Sequence, residues 1–259
     1  MSKMKITLLG TGTSQGVPVI ACGCVVCSSE NPKDKRLRCS VLLTFDDKNY
    51  VIDTGPDFRQ QMLRAEVQSL EAVIYTHEHK DHIAGMDDVR AFNFKQKRDM
   101  EVYCNAEVET ALKREFYYVF NDNPYPGIPK VNINPIANKA FQIDDVLFTP
   151  IQVMHYKMPV FGFRIGDFTY ITDAKTVAPE EREKLKGTKV LIVNALRKEE
   201  HISHFNLEQA LTFIEEIGPE KAYLTHISHL MGKHDEVEKL LPANVRIAND
   251  GMEIILDRT

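Results

Sequence analysis

The chain has 259 residues, enough for one large domain or two small ones. Hydrophobic residues make up 43% and charged residues 27%, an ordinary globular balance, while a net charge of -5 with no basic block argues against a dedicated nucleic-acid binder. The N-terminal apolar run is too short for a secretory signal and nothing approaches the roughly 18 apolar residues of a membrane span, so a cytoplasmic protein with no membrane partner is expected.

In chain order, KITLLG, SVLLTF, NYVID, AVIYT and MEVYC read as strands, as do VLFTPIQV, FGFRIG, FTYITD, KVLIVN, KAYLTH, VRIAND and MEIILD. DDKN and IGDF sit between such runs as hairpin candidates. Helical periodicity appears in DFRQQMLRAE, AEVETALKREFYYVF, NLEQALTFIEEI and DEVEKLL. Asn206 is the expected N-cap of the third, with Gln209 completing a capping box. LLGTGTSQGVP lacks the Lys-Ser/Thr ending of a phosphate loop and reads as a strand-to-loop turn lining a cavity. NDNPYPGIPK, residues 121–130, reads as a stiff connector or as a flap over a site. Strands run in groups with helices interspersed in both halves, which suits two packed sheets with helices outside. No linker or repeat divides the chain, so residues 1–259 are read as a single domain.

THEHKDH crowds potential metal ligands at the end of an apolar run. Side chains alternate in extended chain, so His77 and His79 point the same way, and Asp81 and His82 follow where a helix begins. Other apolar runs also end in ligand-type residues: His155, Asp173 and His226. A carboxylate can bridge two cations. The expected grouping is His77, His79 and His155 on one metal, Asp81, His82 and His226 on a second, and Asp173 shared.

A second cluster lies in ACGCVVC, with Cys22, Cys24 and Cys27. Thiolates this close suit a structural zinc, and THISH offers His229 as the fourth ligand if His226 faces the other centre. Such a site would tie the N-terminal loop to the rim of the histidine cluster.

THEHKDH matches the HxHxDH signature of the metallo-β-lactamase superfamily, and His155, Asp173 and His226 follow in the order of its remaining ligands. The resemblance spans nearly the whole chain. It implies an α/β fold, a four-layer αββα sandwich with two metals at one edge between the sheets. With the cysteine cluster, DHIAGMDDVRAF and YITDAK added, the chain resembles the phosphoribosyl cyclic phosphodiesterases of the carbon–phosphorus lyase pathway and their relatives. That resemblance implies two catalytic divalent ions, manganese or zinc, and one structural zinc. It also implies a small phosphodiester substrate rather than a stable nucleic-acid partner, and a homodimer.

The reaction so implied is attack by a metal-bridging hydroxide on phosphorus. His204, just before a helix, matches the position of the proposed general acid in those relatives, and Asp81 would both ligate metal and orient the hydroxide. His201 either touches substrate or is simply exposed. Asp87, Asp88 and Arg90 read equally as a solvated helix face or as groups bonding ligand histidines. Other readings stay open. One is a non-hydrolytic relative resembling pyrroloquinoline quinone biosynthesis protein B, disfavoured by the complete ligand set. A second is a hydrolase of lactones, thioesters or RNA 3′ ends, and a third is a zinc-stabilised binding module without chemistry.

Overall fold

In the computed structural model, which describes residues 3–121 and 125–257, tight turns set the register of the first strands. β1 (Lys3–Gly10), β2 (Ser40–Phe45) and β3 (Lys48–Ile52) pair antiparallel. Asp46 and Asp47 join β2 to β3 with φ of 45° and 64°, the left-handed pair that a two-residue hairpin demands and aspartate tolerates. The chain then winds through α1 (Phe58–Arg64), β4 (Ala72–Ile74), α2 (Lys80–Ile83), α3 (Arg90–Gln96), β5 (Met100–Cys104), α4 (Ala106–Glu115) and β6 (Val131–Pro135). Strands β3 to β6 run parallel, because each connection crosses over through helix.

The second half opens with β7 (Phe141–Ile143), β8 (Val146–His155), β9 (Met158–Ile165) and β10 (Phe168–Ile171). Gly166 and Asp167 close the β9–β10 hairpin. β11 (Thr176–Val177), α5 (Pro179–Glu183), β12 (Val190–Asn194), α6 (Leu207–Ile217), β13 (Lys221–Thr225), α7 (His234–Glu238), β14 (Val245–Ile247) and β15 (Glu253–Asp257) follow. The last strand returns to the first sheet. The orders are β15-β1-β2-β3-β4-β5-β6, and β11-β8-β9-β10-β12-β13-β14 with β7 on β8. Asn206 caps α6 in a full capping box, and Gly218 at φ 66° ends the helix.

Alternation along the strands divides the core into layers. Tyr50, Ile52 and Ile74 meet Phe148, Phe163 and Ile192 between the sheets. Val51 and Val73 point the other way, onto Phe58, Met62 and Phe92 of the first helical layer. Leu191 and Val193 likewise face Ala210, Phe213 and Val237. Each such side chain contributes roughly 1.5–3 kcal/mol on burial, so central strands apolar on both faces hold both helical layers. This is the four-layer αββα sandwich.

β6, β7 and β11 carry no apolar alternation long enough to read in sequence: VNINP ends in proline, and the other two span three and two residues. The 121–130 stretch falls partly outside the described residues, at 122–124. Among the described residues no helix is long and apolar enough to cross a membrane.

Candidate functional site

Strand ends from both sheets converge on one rim. β3 leads to Asp53, β4 to His77, β10 to Asp173 and β13 to His226, and β8 ends at His155. Asp53, Asp173 and His226 have φ of 66°, 59° and 58°, left-handed values uncommon outside glycine. Such strained bends cluster where side-chain placement matters more than backbone comfort. Gly55 and Gly85 let the following loop press on α2: a Cβ on Gly55 would lie 2.2 Å from the Asp81 carbonyl oxygen, and one on Gly85 the same distance from that of Gly55.

The seven ligand-type residues of the sequence analysis meet here. The rings of His77 and His79 lie 4.7 Å apart, those of His79 and His155 5.1 Å, and those of His77 and His155 5.9 Å. His82 Nε2 is 3.2 Å from Asp81 Oδ2 and 3.4 Å from Asp173 Oδ2. His226 Nδ1 is 3.3 Å from the same Asp173 oxygen. Asp173 Oδ1 lies 3.0 Å from His204 Nε2. Asp173 therefore touches His82, His204 and His226 at once, as a shared ligand would.

Each buried histidine has one nitrogen engaged and the other turned inward. His82 Nδ1 donates to Asp53 Oδ2 at 2.7 Å. The Thr76 hydroxyl donates to that same oxygen at 2.8 Å, which leaves its own oxygen to accept from His77 Nδ1 at 3.0 Å. His155 Nδ1 faces the carbonyls of Asp173 and Ser203, both at 3.0 Å. His226 Nε2 reaches the Thr13 hydroxyl at 3.3 Å. Metal-binding histidines are held this way, with the outer N–H fixed and the inner lone pair aimed. Asp53 thus serves one histidine of each expected metal group.

Charge follows from this packing. Burial pushes His77 well below the usual imidazole range and His226 down to about 4, so both are neutral at pH 7. Burial opposes charge on His82 too, but Asp81, Asp53 and Asp173 outweigh it and raise its pKa. Asp173 stays ionised: burial disfavours its charge, and His226 and His82 more than compensate.

The donor set fits divalent cations. His77 Nε2 and His82 Nε2 are fully buried without a hydrogen-bond partner, the carboxylates near His82 being placed around it rather than in line with it. A buried polar atom left so is costly unless something binds it. Tetrahedral ligands at about 2.0–2.3 Å from a metal sit roughly 3.3–3.8 Å from one another, close to the spacings found here. His77, His82 and Asp173 offer ligand atoms all within 4.8 Å of one another, and so do His155, Asp173 and His204.

The cysteine cluster forms separately. Sγ atoms of Cys22, Cys24 and Cys27 lie 3.3, 3.4 and 3.5 Å from His229 Nδ1. Cys24 is lowered to about 6 by the Cys27 backbone amide and His229, whereas burial raises Cys27 to about 11. Three sulfurs and one nitrogen at these distances match a closed tetrahedral zinc site.

His204 is buried, its Nε2 on Asp173 and its Nδ1 within 3.1 Å of His201 Nδ1 and 3.0 Å of Ser203 Oγ. The His201 ring lies 5.0 Å from that of His204, part-way to the surface. Asp87 bonds Tyr118 and pairs with Arg90 at 3.3 Å, away from the ligand histidines. Among the described residues, Asp88 makes no hydrogen bond or ion pair with the ligand histidines either. Asp53 holds the position considered for Asp87 and Asp88. Its signal in sequence was the one used for Asp173, an acid directly after an apolar strand.

Residues 48–227 match the family model described as the β-lactamase superfamily domain. The chain belongs to this metallo-β-lactamase superfamily. Its members are in general metal-dependent hydrolases, and the fold implies divalent ions at the histidine–carboxylate rim. A crystal structure of a diphosphatase from the PhnP family superposes with a TM-score of 0.93 at 36% identity, covering 99% of this chain and 98% of that one. An octanoyltransferase of Porphyromonas gingivalis is 42% identical over 98% of this chain but only 52% of its own length. A coenzyme PQQ synthesis protein B of Rhodopseudomonas palustris is 23% identical over 61% of this chain and 54% of its own. This chain thus spans about half the length of these curated relatives.

Proposed function

We propose that this superfamily member is a two-metal hydrolase of small phosphodiesters or diphosphates. The observation that carries the reading is the pair of buried, unpartnered nitrogens on His77 and His82 beside Asp173. The superposition on a diphosphatase at 36% identity supports phosphate as the group attacked. His77, His79 and His155 would hold one cation, Asp81, His82 and His226 the other, with Asp173 common to both. When bound, the cations supply charge stabilisation at phosphorus and an activated water at neutral pH. Thr76, Asp53, Thr13 and the Ser203 carbonyl keep the outer histidine protons in place, so the inner lone pairs stay aimed. Asp173 accepts from His204 Nε2, which makes that nitrogen the proton carrier. His204 is the general acid for the leaving oxygen, and Asp81 orients the attacking water as well as binding metal. Cys22, Cys24, Cys27 and His229 hold a structural zinc.

A second reading is hydrolysis of an acyl thioester, favoured by the match to half of a protein named as an octanoyltransferase. One experiment separates the two. Protein reloaded with manganese or zinc is assayed on bis(p-nitrophenyl) phosphate, ADP-ribose and an octanoyl thioester. Cleavage of the phosphorus substrates alone supports the first reading. Thioester cleavage without phosphodiester or diphosphate cleavage overturns it in favour of the second.

A further inference from the structure

The two clusters are joined by a four-residue bridge. His226 belongs to one and His229 to the other, and Ile227 and Ser228 between them are fixed by backbone bonds. Ile227 N donates to Thr11 O at 2.9 Å, Thr13 N to Ile227 O at 3.1 Å, and Ser228 N to Leu196 O at 2.9 Å. The loop that pairs with this bridge also runs between the clusters. It starts with the Thr13 hydroxyl on His226 Nε2 and ends at Cys27 beside His229. Two chain segments therefore connect the same two points.

Outside the loop, the cysteine end is held by Lys35 Nζ donating to Cys27 O at 3.1 Å and by Ser29 Oγ donating to Asp34 Oδ2 at 2.6 Å, both just beyond its C-terminal end. Its apolar core is Val17, Val26 and Cys27 alone among the buried described residues. Ile20 and Val25 are 91% and 71% exposed. Among the described residues, backbone–backbone bonds of 18–29 stay inside the loop, as in Cys22 N to Val19 O and Ser28 N to Cys24 O. At the other end His226 sits at φ 58°, a conformation that persists only where its surroundings impose it.

We propose that the cysteine–histidine cluster is a positioning device for His226, so that occupancy of the cluster and metal affinity at the His226 position are coupled. Metal on the cluster fixes His229 and the far end of the loop. The bridge is then held at both ends, His226 keeps its bend, and Thr13 keeps the ring turned toward Asp173. Linkage makes the effect reciprocal: metal at the His226 position tightens the cluster by the same factor. The inference rests on both groups being metal sites, and not on which bond the protein cleaves.

The test uses the whole chain carrying one zinc on the cluster, with manganese added and free manganese read by electron paramagnetic resonance. Manganese avoids thiolates, so it reports the histidine–carboxylate centre. Wild type is expected to bind two ions per chain. Cys24→Ser is expected to weaken one of them at least tenfold. Thr13→Val, which keeps the cluster and its zinc but removes the hydroxyl from His226, is expected to weaken the same ion several-fold and leave the other unchanged. Wild-type manganese binding in Cys24→Ser, with its zinc lost, overturns the coupling, and wild-type binding in Thr13→Val, with zinc retained, overturns its route through Thr13. No manganese binding by wild type at all overturns the two-metal reading beneath it, a result of a different kind.

Discussion

The two ligand clusters lie three residues apart at their nearest, yet they are built by opposite means. The histidine–carboxylate centre draws its side chains from four strand ends in two sheets and from α2. His77, His82, Asp173 and His226 are buried while His79 is exposed, and Asp53, Thr76, Thr13 and backbone carbonyls aim His77, His82, His155 and His226. The cysteine cluster takes three ligands from six consecutive residues of an exposed loop, plus His229. On the proposed reading, folding brings most of the first site together, and the cluster adds only the final placing of His226. At the second site the loop buries little apolar surface, so on the proposed reading metal would supply much of its order. Removal of all metal with a chelator sharpens the contrast. Amides of residues 19–29 should lose protection from hydrogen exchange, while those of β3, β4, β12 and β13 keep theirs. Equal loss in both regions would mean that the histidine cage also depends on its metals to fold.

Asp173→Ala should have the largest effect on function, because it removes the one group in contact with His82, His204 and His226. Activity and catalytic metal should both fall by more than the roughly 10–100-fold typical when an outer partner is lost, while zinc on the cysteine cluster persists. Elemental analysis and kcat/KM on a phosphodiester check both halves. His204→Ala comes next: turnover should drop roughly 10²–10⁴-fold, the range for a lost general acid, with metal content unchanged. Undiminished turnover would remove His204 from the reaction. Asp53→Asn should cost about 10–100-fold in affinity at both catalytic metals together, since one carboxylate serves His82 directly and His77 through Thr76. Loss of only one metal would show that Thr76 orients His77 without help.

That last residue marks where the sequence stopped being legible. His77, His79, Asp81 and His82 stand out because their spacing is local. His155, Asp173 and His226 can be found because each closes an apolar run, and the sheets bring such ends to one rim. Asp53 closes a run too, NYVID, but what it does depends on β3 pairing parallel with β4, a contact between segments more than 20 residues apart. Asp87 and Asp88 are the sequence neighbours that suggest themselves as outer partners, yet Asp87 faces Tyr118 and Arg90 instead. Thr13 was hidden for the same reason: its loop reads as a cavity lining, but its partner lies 213 residues away. The sandwich was easier to foresee, because its central strands announce themselves by composition, and only short or proline-bearing edge strands escaped.

The smallest expected effect, a difference in proton release, tests the comparison at the level of charge. Metal ligands must be deprotonated to bind. In the histidine cage, burial has already done this for His77 and His226, so neither has a proton to lose near pH 7. His82, which its three carboxylates hold charged, must give one up. In the cysteine cluster Cys24 is already largely thiolate above about pH 6, but Cys27, raised to about 11 by burial, carries a proton that zinc must displace. Each proton displaced makes affinity fall about tenfold per pH unit on acidification, as long as that group stays protonated in the metal-free state. Zinc loading of the cluster should therefore keep gaining with pH from 7 to 9. Manganese loading of the cage should level off once the pH passes the raised pKa of His82. Calorimetry in buffers of different ionisation enthalpy counts the protons directly. If His77 or His226 also released a proton, so that the cage gave up more than the one carried by His82, those histidines would not be pre-neutralised by burial, and the distinction between the two sites would lose its electrostatic half.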